Sequence, residues 1–566
     1  MTSKRTAMQF IKASFGPVIC TILIPFIFIG PVLFFGPALM ALMALYRLNS
    51  NMPDANNATF FNTVAEATLV QTLTTYATYR CIILPLRRES RPGSRYVQRW
   101  IECILRLVLQ ICGALLALGP LRIIFLGFDP FGIVLWLRRK CRDLDACSLR
   151  VRPPIHDADV WGRGIIIPLR DGVETAATIY SPCLPGGKQI DDSPRPVVLI
   201  RTPYNRDSLI IWGIRFAERG YHFVAQDTRG RFGSTGEFFP MLNEARDGAA
   251  TVEWIEKQPW CNGSVGMTGM SYLGLCSWAA MREQVPALKA VAPIMAATDL
   301  YNVMFGRDSG AAHVELLFRW SHLVMHLMVT PFGMIESIFT FFAGTGESLK
   351  KAYKHAPLNE VDTKYLVPDS DTISWFQDGF NHPEGTEPFW EDKRHFVRFE
   401  DMETIPPVLL FCGWYDFFNA EMMHDWQAVR KVNQDCRMVI GPYTHWNVQS
   451  MQPKLWRSLL DFFDRHLLCD STARDLPEVD AFAMGHEMGW MEIKSWPPPS
   501  LHTKTFIFAR GEAGDSDDYL LVNEGEKTNT EEKEVSYIYD PADPTPQIGG
   551  ATFNPSNCGR LVQCEI

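Results

Sequence analysis

The sequence predicts an α/β fold with a mainly parallel sheet, which begins near residue 160 and follows a long apolar region. Two observations favour this class. Short apolar runs alternate with segments of helical spacing, a pattern typical of strands that are joined by crossover helices. Three of these runs lead to a serine, an aspartate or a histidine, and parallel sheets carry their functional side chains at such strand ends.

Residues 1–150 are predicted to associate with a membrane. The segment Ser14–Tyr46 contains no charged residue and exceeds the ~20 residues that a helix needs to cross a bilayer. A second apolar region, Leu107–Leu137, is a further candidate, although prolines and charged residues interrupt it. Buried core helices are the alternative for both segments. Because basic residues flank the segments on every side, the number of crossings and the organelle stay open.

The overall composition gives no indication of a nucleic-acid partner, a metal or a cofactor. The formal net charge is -9 and the isoelectric point is about 5.9. The 14 cysteines are scattered without a C-x-x-C pair, so neither a zinc site nor a disulfide framework is expected. Buried thiols in a reducing compartment are the simplest interpretation.

The catalytic body is predicted to open with a β-hairpin. Gly164–Pro168 and Glu174–Tyr180 are two apolar runs around the turn Arg170–Gly172. The elements that follow alternate in type. Further strands are expected at Val197–Arg201, His222–Gln226 and Leu288–Ala292, and helices at Ser208–Arg219 and Asp247–Lys257.

Ser271 is the candidate nucleophile. The stretch Gly266–Gly274 predicts a short buried strand, a sharp turn at the serine and the start of a helix. The first amides of such a helix can stabilise a negatively charged oxygen beside the serine. The strict pattern G-x-S-x-G fails, because Leu273 stands where the second glycine belongs and Gly274 follows one residue later. Taken alone, the motif is weak support for acyl transfer.

Two later strand ends supply partners for the serine. A serine hydroxyl needs a base for its proton and a carboxylate that orients the base. Val408–Phe411 predicts a strand with Asp416 beyond it, and Met438–Ile440 predicts another with His445 beyond it. A turn aspartate and a loop histidine are the alternatives for each residue taken singly. The order serine, aspartate, histidine, each after a strand, favours a triad of the α/β-hydrolase type.

With these residues and several longer strings, the chain resembles the cocaine esterase and X-prolyl dipeptidyl-peptidase group of serine hydrolases, the CocE/NonD family. The strings occur in family order across roughly residues 160–560, and the family tolerates the leucine at position 273. The matching strings are Arg201–Tyr204, Gln226–Phe238, Glu253–Ile255, Gln258–Trp260, Gly269–Gly274, Gly413–Asp416, Gly441–His445, Ser495–Pro498 and Tyr539–Pro544.

The resemblance implies a role for each site residue. Ser271 would be the nucleophile, His445 the base and Asp416 the carboxylate that orients it. The oxyanion hole would be formed by the hydroxyl of Tyr204 and the backbone amide of Tyr272, and a core tyrosine is the alternative for Tyr204. The charged residues of one loop are expected to brace that loop rather than contact substrate: Asp227, Arg229 and Arg231.

The resemblance also implies an α/β-hydrolase fold with a helical cap and a C-terminal β jelly roll. Val314–Met328 and Ile335–Phe342 are the expected cap helices, and Val479–Met484 and Thr505–Phe508 are expected to begin the jelly roll. Because the family's jelly roll is longer than this C-terminal stretch, an incomplete jelly roll is expected. The expected ranges are hydrolase domain 158–300 and 396–470, cap 301–395 and jelly roll 476–566.

The function expected from the sequence is a membrane-associated serine hydrolase that cleaves an ester or amide through an acyl-enzyme. Its partners would be a small-molecule ester or amide, with a lipid-like acyl group as one option, and the membrane. An X-prolyl dipeptidyl-peptidase is one alternative, which would need a pocket carboxylate for the substrate's amino terminus. Glu315, Glu336 and Asp308 are candidates for that carboxylate. A non-catalytic membrane protein with a disabled hydrolase domain is the other alternative.

Overall fold

The computed structural model describes residues 146–553, except for residues 148, 160–161, 186–188, 307–309, 328–346, 368–371, 391–397, 486–488, 500–501, 511–518 and 524–549. The apolar segments Ser14–Tyr46 and Leu107–Leu137 lie outside these residues, and so does the expected cap helix Ile335–Phe342. In the part of the chain that is described, no helix combines the length and the apolarity needed to cross a bilayer.

Ten of the described strands form one central sheet, and helices connect most of them. The strands are β1 (Asp157–Ala158), β2 (Arg163–Pro168), β3 (Glu174–Tyr180), β4 (Pro182–Cys183), β5 (Arg195–Thr202), β6 (His222–Asp227), β7 (Cys261–Met270), β8 (Leu288–Ile294), β9 (Val408–Tyr415), β10 (Cys436–Thr444), β11 (Val479–Ala483), β12 (Gly489–Ile493), β13 (Phe506–Arg510) and β14 (Tyr519–Asn523). The helices are α1 (Ile210–Ala217), α2 (Glu244–Glu256), α3 (Tyr272–Arg282), α4 (Leu300–Phe305), α5 (Val314–His326), α6 (Glu347–Ala352), α7 (Ser374–Asn381), α8 (Asn419–Val432) and α9 (Val448–His466). Shorter helical turns are Arg206–Leu209, Leu358–Glu360, Asp362–Leu366 and Phe399–Asp401.

The central sheet has the strand order β2-β3-β6-β5-β7-β8-β9-β10-β11-β12. The strands from β6 to β11 run parallel to one another, while β2, β3 and β12 pair antiparallel with their neighbours. The predicted hairpin is therefore confirmed at one edge. The carboxyl ends of the parallel strands lie together along one end of the sheet, perpendicular to the strands. Functional side chains of this fold class lie at that end.

Helices cover both faces of the sheet because the strands are apolar on both sides. On one face, Phe216 of α1 stacks on Phe223 with ring centroids 5.7 Å apart, and Trp456 of α9 lies 5.2 Å from Phe216. On the other face, α3 and α8 bury Trp278 and Trp426. Each of these side chains contributes about 2–3 kcal/mol when it is fully buried, so the sheet is a firm support for residues at its edge.

Between β8 and β9 the described residues form helices and turns without a strand. Four of their aromatic side chains belong to a separate hydrophobic cluster: Phe305, Phe318, Phe376 and Trp390. The helical cap expected after residue 300 therefore has a core of its own. Its expected boundaries at 301 and 395 stay predictions.

The C-terminal strands require a correction. Val479–Met484 was expected to begin a separate jelly-roll sheet, but β11 pairs in parallel with β10 and extends the central sheet. β12 then pairs antiparallel with β11. The physical reason is that β10 has a free edge, which a short apolar strand covers with its backbone hydrogen bonds. β13 and β14 form a separate antiparallel pair, and the jelly roll itself stays a prediction.

Candidate active site

Ser271 lies on a tight turn between a strand and a helix. β7 ends at Met270, α3 begins at Tyr272, and Ser271 has φ 59° and ψ −128°. A positive φ is uncommon for a residue with a side chain and marks a strained turn at a functional position. The Ser271 amide donates a hydrogen bond to the carbonyl of Ile294 at 2.9 Å, which fixes the turn against β8. The predicted strand, turn and helix are confirmed.

The glycines on either side of Ser271 explain why the motif departs from its usual spacing. A Cβ on Gly269, which has φ +152°, would lie 2.4 Å from the Cβ of Leu273. A Cβ on Gly274 would lie 2.6 Å from the Cβ of Ala296. The close approach of α3 to the end of β8 therefore requires a glycine at position 274 and tolerates the leucine before it.

Asp416 and His445 form a buried pair. Each follows directly after its strand, β9 or β10, and their side chains are 0% and 4% exposed. The distance from His445 Nδ1 to Asp416 Oδ2 is 2.6 Å. The other carboxylate oxygen of Asp416 accepts a hydrogen bond from the amide of Phe418 at 2.8 Å. With Nδ1 donating to the carboxylate, Nε2 of a neutral imidazole is left as a proton acceptor.

Ser271, Asp416 and His445 all follow the carboxyl ends of neighbouring parallel strands. Met270 pairs with Ile294, and Ile294 pairs with Phe411 in the next strand. β9 continues for four residues beyond Phe411, and Thr444 at the end of β10 is level with Tyr415, so Asp416 and His445 follow strands that extend past the level of the Ser271 turn. Among the described residues, the Ser271 hydroxyl makes no hydrogen bond, and the hydrogen bonds of catalytic residues are often long before substrate binds.

Tyr204 lies just beyond β5, in the turn that precedes α1. Its hydroxyl accepts a hydrogen bond from the indole Nε1 of Trp320 at 2.8 Å. Its backbone amide donates to the hydroxyl of Thr202 at 3.0 Å. Burial raises the pKa of Tyr204 above its ordinary value, so the phenol keeps its proton at neutral pH and is a hydrogen-bond donor.

Tyr272 is anchored by its side chain at the start of α3. Its hydroxyl donates to Glu244 at 2.9 Å and accepts from the amide of Met241 at 3.1 Å. Glu244 also forms an ion pair with the fully buried Arg201 at 2.7 Å. The ring of Tyr272 also lies beside Tyr204, with ring centroids 6.5 Å apart, so the side chain is held at the start of α3 next to that residue.

The charged residues of the loop after β6 brace the loop, as expected. Asp227 pairs with Arg206 and accepts a hydrogen bond from its backbone amide. Arg229 pairs with Asp247 at 2.7 Å. The guanidinium of Arg231 donates to the carbonyls of Pro203 and Val324 at 2.9 and 3.0 Å. Arg231 also lies over the rings of Phe232 and Phe238, 5.5 and 5.1 Å from their centroids.

Aromatic rings surround His445. Phe417 lies 4.6 Å from the imidazole between ring centroids, Trp446 lies 5.2 Å away and Phe553 lies 6.2 Å away. Trp446 donates its indole N–H to the carbonyl of Phe553 at 2.8 Å. Phe553 is therefore packed near His445, although the two residues are more than a hundred positions apart in the sequence.

Sequence reasoning did not identify Trp320, Glu244 or Phe553 as parts of this site. Trp320 lies in an amphipathic cap helix, where an aromatic residue is expected to pack in the core of the cap. Glu244 lies at the start of a helix, where an acidic residue reads as favourable to the helix dipole. Each of these residues belongs to the site because it contacts a site residue in the folded chain. No local motif in the sequence indicates that contact.

Of the three cap carboxylates that are candidates for binding a substrate's amino terminus, the structure describes Glu315. Glu315 accepts a hydrogen bond from Arg319 at 2.8 Å and another from the hydroxyl of Thr552 at 3.2 Å. Its charge is therefore already compensated. Asp308 and Glu336 lie outside the described residues.

Comparison with known proteins identifies the family to which the chain is related. The family model for X-Pro dipeptidyl-peptidase (S15 family) matches residues 171–447. Cocaine esterase from Rhodococcus sp. (strain MB1 Bresler) is 34% identical over 412 residues, which cover 68% of this chain and 68% of the esterase. The residues matched by the family model run from β3 to β10 and include Ser271, Asp416 and His445.

One solved structure shows the same fold over about three fifths of this chain. An aminopeptidase from a marine sediment archaeon, Thaumarchaeota archaeon, superposes with a TM-score of 0.51 at 19% identity, covering 63% of this chain and 62% of that chain. A CocE/NonD family hydrolase from Staphylococcus aureus matches at a TM-score of 0.45 and 18% identity, covering 61% and 57%. The chain thus spans about three fifths of the length of these two solved proteins.

Proposed function

Because the chain belongs to the CocE/NonD family of serine hydrolases, which includes cocaine esterase, we propose that it cleaves carboxylic esters through an acyl-enzyme on Ser271. The observation that carries the proposal is the buried pair of Asp416 and His445, which follows two strands of the sheet edge that also carries Ser271.

The proposed reaction has two half-reactions. The Ser271 oxygen attacks the ester carbonyl while Nε2 of His445 takes its proton, and Asp416 stabilises the imidazolium that forms. The tetrahedral oxyanion accepts hydrogen bonds from the Tyr204 hydroxyl and the Tyr272 amide, and one such donor lowers the barrier by about 3 kcal/mol. His445 then protonates the departing alcohol. Water, activated by the same histidine, releases the acid.

The surroundings of the site favour an ester over a peptide with a free amino terminus. An aminopeptidase needs an unpaired carboxylate to bind the substrate's ammonium group. Glu315, the candidate carboxylate that the structure describes, is engaged by Arg319 and Thr552. The rings around His445 include those of Phe417 and Phe553, which suit an uncharged acyl or alcohol group.

The proposal includes association with a membrane. Its support is the uncharged segment Ser14–Tyr46, which is long enough to span a bilayer. Extraction of membranes with alkaline carbonate tests it: an inserted chain stays in the pellet, and release into the supernatant would refute insertion. A lumenal loop would be marked by glycosylation at Asn57 in a eukaryotic host.

A fluorophosphonate probe tests the catalytic proposal directly. Membranes that contain the full-length chain should be labelled, and labelling should vanish in Ser271→Ala. The matched control Ser264→Ala lies on the same strand, β7, and should keep the label. A folded chain that is not labelled would refute the proposal and favour the non-catalytic alternative.

Substrate class is tested by comparing p-nitrophenyl butyrate with the p-nitroanilide of a Gly-Pro dipeptide. Turnover of the ester alone supports an esterase. Faster cleavage of the dipeptide anilide would assign the X-prolyl peptidase activity instead.

A further inference from the structure

The hydroxyl of Tyr204 has a fixed hydrogen-bond partner in the cap. Trp320 lies in α5, and its Nε1 is 2.8 Å from the Tyr204 oxygen, although the two residues are 116 positions apart. An indole N–H can donate and cannot accept. The Tyr204 oxygen must therefore be the acceptor in this bond, which leaves its own hydrogen available for another group.

The indole is held in place by its neighbours. The Trp320 ring stacks on the Tyr272 ring with centroids 5.9 Å apart and planes 15° from parallel. Trp375 contacts it edge-on, at 5.2 Å between ring centroids. Tyr272 is itself anchored by Glu244. Packing against these two aromatic rings thereby holds the Trp320 ring with its N–H at Tyr204.

A second connection joins the same two elements. Arg231 donates to the carbonyl of Pro203, the residue before Tyr204, and to the carbonyl of Val324, one turn beyond Trp320 in α5. The guanidinium is buried, so it holds both backbones at hydrogen-bond distance. The Tyr204 turn and the cap helix are thus linked through the side chain of Trp320 and through the backbone.

We propose that Trp320 is a positioning residue of the oxyanion hole, which orients the Tyr204 hydroxyl so that its hydrogen points at the developing oxyanion. The inference rests on the proposed function, in which Tyr204 is an oxyanion donor. Occupying the acceptor side of the hydroxyl restricts its rotation, and a donor that is itself hydrogen-bonded is polarised and donates more strongly. Helix α5 of the cap then contributes to the rate of the reaction as well as to packing.

A double-mutant cycle separates this role from simple packing. Trp320→Phe removes the N–H and keeps a ring, and Tyr204→Phe removes the hydroxyl. Both changes, singly and together, are made in the full-length chain in membranes. The rate constant kcat and KM are measured with p-nitrophenyl butyrate, and active sites are counted by saturating fluorophosphonate labelling. Trp490→Phe is the matched control, because it removes the N–H of an exposed indole in β12, outside the cap and the oxyanion hole.

The expected result is that Tyr204→Phe lowers kcat about 100-fold. Trp320→Phe should lower kcat about 5- to 10-fold, the value of one hydrogen bond, with a smaller change in KM. In the Tyr204→Phe background the same change should cost less than about 2-fold, because its target is gone. Trp490→Phe should leave kcat within about 2-fold of the parent, a change too small for the loss of a hydrogen bond.

Other outcomes are decisive in different ways. An equal loss from Trp320→Phe with and without the Tyr204 hydroxyl would overturn the inference and leave the proposed function intact. No loss from Tyr204→Phe, with labelling of Ser271 retained, would overturn the role of Tyr204 itself. If Trp320→Phe does not fold, 3-benzothienylalanine at position 320 keeps the indole shape and removes only the N–H, and unchanged kcat there would contradict the inference.

Discussion

The two halves of the candidate active site are held in different ways. The serine half is built on a tight turn between β7 and α3, and a buried ion pair between Arg201 and Glu244 anchors it through Tyr272. The histidine half depends on one carboxylate and on aromatic rings, one of which, Phe553, comes from near the C-terminus. The serine half is therefore set by charge and backbone geometry, while the histidine half is set by packing over long sequence distances.

The largest test of the histidine half is Asp416→Asn. The amide presents either an N–H or an uncharged oxygen to Nδ1 of His445, so the imidazole loses the carboxylate that orients and stabilises it. We expect kcat to fall about 10⁴-fold, as for the loss of the orienting carboxylate in other serine hydrolases. The measurement is ester turnover per labelled site. Asp401→Asn, at an exposed helical turn, is the control and should be unchanged.

The serine half should respond most strongly to the loss of its buried charge. Glu244→Gln keeps an acceptor for the Tyr272 hydroxyl but leaves the buried Arg201 without its closest counter-charge, 2.7 Å away. We expect the free energy of unfolding to fall by about 3–5 kcal/mol. Urea dependence of proteolysis in membranes measures it.

The matched control for this change lies on the same helix. Glu253→Gln removes a surface ion pair with Arg170, whose side chain is 56% exposed. Such a pair contributes about 0–1 kcal/mol. Equal losses in the two variants would contradict a special role for the buried pair.

The contrast between the halves also explains how much could be predicted. Ser271, Asp416 and His445 were predicted because each follows a strand whose apolar residues are contiguous in the sequence. Trp320 and Phe553 could not be predicted, because Tyr204 and His445, the site residues that they contact, are more than a hundred positions away along the chain.

The position of β11 was mispredicted for a similar reason. A short apolar strand does not reveal which edge it covers. Its parallel pairing with β10, from Met438 opposite Val479, exists only once β10 has joined the sheet. The resemblance to the family directed the assignment to a separate domain, and the backbone hydrogen bonds place the strand in the central sheet.

A buried carboxylate in α8 predicts a pH effect on stability. Burial raises the pKa of Asp425 from 3.8 to about 7, and its two oxygens pair with the amide and hydroxyl of Thr298 at 2.8 and 2.5 Å. Between pH 4 and 7 the folded chain holds a proton that the unfolded chain has lost. Its contribution to stability is therefore full below about pH 4 and is lost as the pH rises through 7, at a rate of at most about 1.4 kcal/mol per pH unit.

Asp425→Asn tests this pH effect, because the amide reproduces the protonated acid: its oxygen accepts from the Thr298 amide and its NH₂ donates to the hydroxyl. We expect the variant to lose less stability than the parent between pH 5 and pH 8, as measured by urea midpoints at both values. A parallel decrease in parent and variant would show that Asp425 does not titrate in this range.

The smallest expected effect concerns the ring that reaches the histidine from the C-terminal region. Phe553→Ala removes a side chain that packs against His445, Phe417 and Trp446, while the backbone carbonyl that Trp446 binds remains. With one wall gone, the imidazole can leave the orientation that Asp416 favours, so kcat should fall about tenfold, equivalent to about 1.4 kcal/mol, with fluorophosphonate labelling slowed but complete. Leu521→Ala, an exposed residue of β14, is the matched control and should have no effect. An unchanged kcat in Phe553→Ala would mean that the carboxylate alone orients the histidine, and the two halves of the site would then be held by the same kind of force.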